Sequence, residues 1–167
     1  SNLPSKAQIL RPGDGEGDVE VPDVDLLVRA AHGAVWLADL KLADRLAEAA
    51  VRAGAGPEAS FVRAHALSWL GRGEEADAVF AAMPTTGLTD EDHGRYAFLR
   101  ASNLLWALAD PARAKDVIDE ASHSALSQAR TYIDAFLTVY WFATDQPQAA
   151  AADPVVECVA TAVVPDL

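Results

Sequence analysis

Asp14, Glu16, Asp18 and Glu20 alternate near the start of the chain in a pattern that could ligate calcium. A calcium loop needs glycine at its sixth position for a sharp turn and a bidentate glutamate at its twelfth. Val19 and Asp25 stand at those positions, so the stretch reads as an acidic, flexible segment. Asp90-Glu91-Asp92-His93 gathers metal-capable side chains. Acids directly after a threonine are also what the positive end of a helix dipole favours, and that explains them without a metal. Gly71-Arg72-Gly73 lacks the lysine and the following serine or threonine of a phosphate loop, and it falls between two helices rather than after a strand. His32, His65, His93 and His123 have no sequence neighbour that marks one of them as a catalytic base, and no nucleophile-elbow or zinc-protease spacing occurs. Cys158 is the only cysteine, which rules out an internal disulfide. Nothing in these patterns asks for a catalytic residue, a metal or a cofactor.

Recognition is the chemistry better supported by spacing. Trp36, Trp69, Trp106 and Trp141 stand 33, 37 and 35 residues apart, each near the end of an apolar helical stretch. Four-residue steps on a helix nearly superimpose, so the residues eight and four before each tryptophan share its face. The stripes are Val28-His32-Trp36, Phe61-His65-Trp69, Phe98-Ser102-Trp106 and Ile133-Leu137-Trp141. Five residues before the tryptophan stand Ala31, Ala64 and Ala101, small enough for a neighbouring helix to approach, whereas the fourth repeat has Phe136 there. Two outcomes compete for the stripe. In one it is packing, with each tryptophan sealing its own helix pair and each histidine bonded to a backbone carbonyl. In the other it lines a concave groove that takes a peptide or helix. Aromatic residues at helical spacing usually belong to a core. Trp69, in an interior pair, is therefore expected to be largely buried, with Trp69→Ala costing about 3–5 kcal/mol.

The elements that carry these stripes follow from caps and stops. Long helices are expected over 22–39, 57–70, 89–108 and 126–143, and shorter partners over 41–53, 74–83 and 111–121. Pro22, Pro57 and Asp110-Pro111 open helices, Thr89 with Asp92 forms a capping box, and Gly54-Ala55-Gly56 closes one. A fourth partner helix would follow 144–146 and break at Pro154 before a last helix to Val163. A period near 34 residues with two helices per period marks stacked pairs, which bury a continuous core only against their neighbours. The fold class is thus all-α, an array of about four antiparallel helix pairs in a right-handed α-solenoid over 22–167. Residues 1–21 are a flexible or extended N-terminal segment. Val164-Pro165-Asp166-Leu167 echoes Val21-Pro22-Asp23-Val24, as though a fifth repeat were about to begin. On that reading Val155, Val156, Val159, Val163, Val164 and Leu167 would be left uncovered, and a homodimer through the C-terminal end is expected as an artefact of the cut rather than a native assembly.

Composition narrows the partners. Hydrophobic residues make up 51%, too many for a disordered chain. The longest apolar stretch, around Ala135 to Thr144, is about half the roughly 20 residues a membrane span needs. A net charge of −12 with only 13 scattered Lys and Arg argues against direct contact with nucleic acid. A protein partner, or neighbouring domains of a longer chain, is the expected occupant, in the cytoplasm by default.

The repeats resemble tetratricopeptide-like repeats: Gly73-Glu74-Glu75-Ala76 followed by Phe80 matches the turn, small residue and aromatic of that repeat's second helix. The tryptophan falls at the end of the first helix here rather than near its start. The stretches LVRAAHGAVWLADLKLADRLAEAA, HALSWLGRGEEADAVFAAM and RYAFLRASNLLWALADPARAKDVIDEA are similar to the helical-repeat region of large actinobacterial LuxR-type transcriptional regulators. That resemblance implies a non-catalytic, partner-docking or signal-sensing domain joined to an ATPase and a helix-turn-helix, neither of whose motifs occurs here. A free-standing peptide-binding adaptor and a small-molecule sensor with its ligand among the tryptophans are the alternatives.

Overall fold

A computed structural model describes residues 23–146. Within them the chain runs α1 (Val24–Trp36), α2 (Leu40–Arg52), α3 (Pro57–Trp69), α4 (Gly73–Ala82) and α5 (Asp90–Ser102). It passes directly into a π-helical turn, Asn103–Ala107, then α6 (Pro111–Ser124) and α7 (Ser127–Ala143). No strand occurs among the described residues. The protein is all-α there, and each helix starts within two residues of its expected position. The N-terminal segment, the helix expected after 146 and the valines proposed to join a homodimer lie outside the described residues.

Local chemistry explains the boundaries. Free N–H groups at a helix start need acceptors. Asp23 supplies one to Asp25 at 3.0 Å, Asp39 to Leu42 at 3.1 Å, Thr89 to Asp92 at 3.1 Å and Asp110 to Arg113 at 3.1 Å. After Trp36 and Trp69 the chain closes in the same way. Ala38 and Gly71 take φ of +58° and +76°, and the next residues, Asp39 and Arg72, donate back to Ala34 and Leu67, both at 2.9 Å. These turns send α2 and α4 back along their partners.

The core is laid out in succession along the chain. Ala31, Ala34, Ala43, Ala47, Val62 and Ala66 join α1, α2 and α3. Phe61, Ala64, Phe80 and Met83 join α3 to α4, with Tyr96 and Leu99 of α5 against them. Ala101, Leu104, Ile118, Ile133 and Phe136 join α5, the π turn, α6 and α7. Helices α3 and α5 thus each contribute to two successive clusters. Each fully buried phenylalanine stabilises this arrangement by roughly 1.5–3 kcal/mol. Polar links reinforce it: arginines of α3 and α5 reach back to carboxylates of α2 and α4.

The small residues behave as their spacing implied, since Ala31, Ala64 and Ala101 are completely buried, and so are Ala43, Ala76 and Ala114. The tryptophans do not. Trp69, expected to be buried, is 72% exposed, and Trp36 and Trp106 are 89% and 63% exposed. Helical geometry gives the reason. Each four-residue step advances about 40° around the axis, so eight residues turn the stripe by about 80°. Phe61 therefore sits in the core, His65 is half-buried, and Trp69 emerges at the rim. The line of alanines, not the line of tryptophans, faces the neighbouring helix.

Candidate functional site: a tryptophan-lined cleft

Helices α3 and α5 touch sparingly, whereas α5 and α7 pack closely along their length. The difference has a visible source. Gly94 on α5 lies so near α7 that a Cβ placed on it would meet the Ala129 backbone at 2.6 Å. Between α3 and α5 the chain instead leaves a cleft of about 410 Å³. His65, Ser68 and Trp69 of α3 form one wall, and Phe98, Ser102 and Trp106 form the other, with Phe80 and Asn103 also bordering it.

Five residues of the sequence stripes, His65, Trp69, Phe98, Ser102 and Trp106, thus meet in one cleft. The other seven do not border it. Val28, His32 and Trp36 lie on α1. Phe61 is buried beneath, and Ile133 and Leu137 pack in the core between α5 and α7. Trp141 lies under the Lys115 ammonium, 5.6 Å from its ring centre, and against Tyr140 at 5.0 Å. The histidines also depart from their expected carbonyl partners. His32 Nε2 lies 2.6 Å from the Glu58 carboxylate, which also accepts from Arg95 at 3.0 Å. His65 lies beside Trp69, with ring centres 5.7 Å apart.

Electrostatics divide this face in two. Around Glu58, burial works to raise the carboxyl's pKa, but the Arg95 hydrogen bond and the nearby positive charges outweigh it, so the group is held below its ordinary value. Burial pushes the His65 imidazole down, and the Arg95 charge adds to that. Both effects favour the neutral form of the imidazole. No Asp, Glu, Lys or Arg borders the cleft.

Asn103 carried no conspicuous spacing in the sequence, and Gly73 was read there only as a turn residue. Asn103 is 1% exposed, and its Nδ2 donates to the Gly73 carbonyl at 2.9 Å. A Cβ on Gly73 would lie 2.9 Å from that of Ala107, so the start of α4 rests directly on the π turn. With Nδ2 committed to a carbonyl, the amide orientation is set, and Oδ1 is left as the acceptor. Among the described residues, Oδ1 is the one buried side-chain polar atom without a hydrogen-bond partner. The available signal was an asparagine inside the apolar run Leu99 to Leu108.

A larger depression of about 670 Å³, between α2, α3, α4 and the loop 84–88, contains none of the stripe residues. Arg63 at its edge is already bonded to Asp44 and Glu48. The acidic run 90–93 acts in folding: the Asp90 carboxylate accepts from the backbone of Leu126 at 3.0 Å and Ala129 at 2.9 Å, capping α7. Compared with protein-family models, curated proteins and solved structures, the chain matches none.

Proposed function

We propose that this chain is a non-catalytic recognition domain, a tetratricopeptide-like array that serves as the helical-repeat region of a LuxR-type transcriptional regulator in the cytoplasm. Its tryptophan edge docks a protein partner or the neighbouring domains of the longer chain. The observation that carries the reading is the exposure of three successive tryptophans, Trp36, Trp69 and Trp106, each at the end of an odd-numbered helix or of the π turn continuing it. Tryptophan is highly buried on average and is enriched among the residues that dominate binding energy at interfaces. The sharing of α3 and α5 between successive core clusters supports the array, as nearest-neighbour packing is how such repeats are built.

Reading the gene to its full length tests the regulator assignment: a phosphate loop before this region and a helix-turn-helix after it are expected, and their absence leaves the free-standing adaptor. A photo-crosslinking residue placed at 36, 69 or 106 tests docking. Adducts are expected there and not at Arg45, on α2. Equal labelling at Arg45 overturns the docking face. The small-molecule reading is favoured by one separate observation, the uncharged and largely aromatic lining of the cleft between α3 and α5.

A further inference from the structure

The exposed face of α2 carries two cations that the fold does not use. From Leu40 onward, every lysine and arginine among the described residues except Lys41 and Arg45 meets a carboxylate. Both are exposed and stand one turn apart on α2, so they repel each other. Lys41 also lies in the first turn, where the helix dipole favours acids. Helices α1, α3, α4 and α5 place acids there, and α2 places none. The repeat does not require the pair either. Lys41 and Arg45 lie five and nine residues after Trp36, and the same offsets from Trp69 give Glu74 and Ala78.

The two side chains border a depression of about 520 Å³ between α2 and the turn joining α3 to α4, with Asp44, Leu70 and Arg72 completing its lining. The charges of Asp44 and Arg72 are already engaged. Asp44 accepts from Arg63 at 3.2 Å and from Arg72 at 3.0 Å, and Arg72 also donates to Glu75 at 2.7 Å. The positive charge left free belongs to Lys41 and Arg45. In a chain of net charge −12, that local surplus selects an anionic occupant. Four residues of helix separate the two cations by about 6 Å along the axis. An extended peptide carries alternate side chains on one side at intervals of about 6.6 Å, so acids at every second residue match the pair.

We propose that this face of α2 binds an extended acidic peptide, and that its occupant is the chain's own segment preceding α1. Asp14, Glu16, Asp18 and Glu20 supply a carboxylate at every second residue, separated by Gly15, Gly17 and Val19. The point where the segment joins the fold sets its reach. Helix α2 runs back along α1, so Asp23 lies level with the end of α2, and Arg45 and Lys41 stand about 10 and 16 Å from that level. Neighbouring helices lie about 8–10 Å apart, which puts the two cations roughly 14 and 19 Å from Asp23. At about 3.3 Å per residue, Asp18 and Glu16 reach roughly 16 and 23 Å, enough to meet Arg45 and Lys41 respectively. The contact is electrostatic and open to solvent, so salt weakens it. It engages α2 rather than the tryptophan edge, and it closes the basic face to other acidic peptides.

Carbodiimide coupling, which joins a lysine amine to a carboxylate in contact with it, tests the proposal on the intact chain. The readout is the link from Lys41 to a carboxylate within 14–20, located by mass spectrometry. It is measured against the link between Lys115 and Asp119, whose charged atoms lie 2.6 Å apart. The Lys41 link is expected to form, and Arg45→Glu or about 0.5 M sodium chloride should each lower it at least about threefold relative to that reference. Arg45 has no carboxylate partner among the described residues, so its reversal should leave the helical circular dichroism unchanged. Lys41 linked only to Asp39 or Asp44, or not linked while Lys115 and Asp119 couple, overturns the proposal. A link that withstands both salt and Arg45→Glu overturns its electrostatic basis. Mixing isotopically light and heavy chains identifies the source of the acids. Links within one chain support the proposal, and links formed equally between chains show that a second copy supplies them and overturn the internal occupant.

Discussion

Arg100 on α5 donates to the Asp77 carboxylate on α4 at 2.9 Å, and Arg63 on α3 donates to Asp44 on α2 at 3.2 Å. The two contacts are one device used twice. Each aspartate stands eight residues after a tryptophan, and each arginine six before the next. Each aspartate also accepts from a second arginine, Arg72 at 3.0 Å for Asp44 and Arg113 at 2.8 Å for Asp77. Burial works to raise the Asp77 pKa, but the hydrogen bonds from Arg100 and Arg113 and their charges outweigh it, so it lies below its ordinary value. A double-mutant cycle on Asp77→Asn and Arg100→Gln should give a coupling of roughly 0.5–1.5 kcal/mol, since solvent reaches both groups and screens them. A coupling near zero would show that the contact does not help hold the pairs together.

Trp69 and Phe61 lie eight residues apart on α3 and should respond oppositely to truncation. Phe61 is 1% exposed and Trp69 72%. Phe61→Ala should cost about 3–5 kcal/mol, and Trp69→Ala should stay within about 1 kcal/mol, as for other surface changes. Urea unfolding of both variants makes the comparison. A large loss for Trp69→Ala would mean that the residue belongs to the packing after all.

What the sequence conveyed, and what it withheld, follows from the range of each interaction. Helix starts were legible where a local cap was recognised: Thr89 and Asp110 each bond an N–H three residues away, whereas Asp23 and Asp39, which cap α1 and α2 in the same way, were not recognised as caps. The small residues Ala31, Ala64 and Ala101 were legible because each stands five residues before a tryptophan, and all three are buried. The tryptophans were misread because a four-residue stripe was treated as parallel to the axis, and its drift over eight residues carries it from core to rim. Asn103 and Gly73 were not legible, as they meet across 30 residues and only through the π turn. Asp90 was understood as a first-turn acid, yet its larger role, capping a helix 36 residues later, depends on how α5 and α7 pack.

Gly94 should tolerate no side chain. An added Cβ would lie 2.6 Å from the Ala129 Cα and 2.8 Å from its carbonyl oxygen, and backbone cannot yield as a flexible side chain can. Gly94→Ala gains helix propensity of about 1 kcal/mol, but it must push α5 from α7 and disturb the cluster containing Ile133 and Phe136. Overpacking costs typically 1–3 kcal/mol, so the net change should be destabilising and lower the melting temperature. Gly33 on α1, where an added Cβ meets nothing within 4 Å, is the control, and Gly33→Ala should be neutral or stabilising. A Gly94→Ala variant as stable as Gly33→Ala would refute the close approach.

Stability should fall in two stages as pH is lowered. His65 has a folded pKa below its ordinary value of 6.5, with burial the larger cause and Arg95 the smaller. The unfolded chain then binds a proton near pH 6.5 that the folded chain resists, so stability is fully present above that pH and declines as pH falls below it. Glu58 and Asp90 also have lowered values, from 4.5 and 3.8. For Asp90 the Ala129 backbone hydrogen bond is the main cause. Their contributions are present above those ordinary values and are lost as pH falls through the lowered ones. Urea unfolding at pH 7.5 and 5.5 isolates the first stage, because these carboxylates remain ionised at both. His65→Gln should reduce the difference in stability between the two conditions while leaving the decline below pH 4.5. An unchanged difference would mean that His65 takes up its proton in the folded protein as readily as in the unfolded chain, and the neutral character assigned to the cleft would be lost with it.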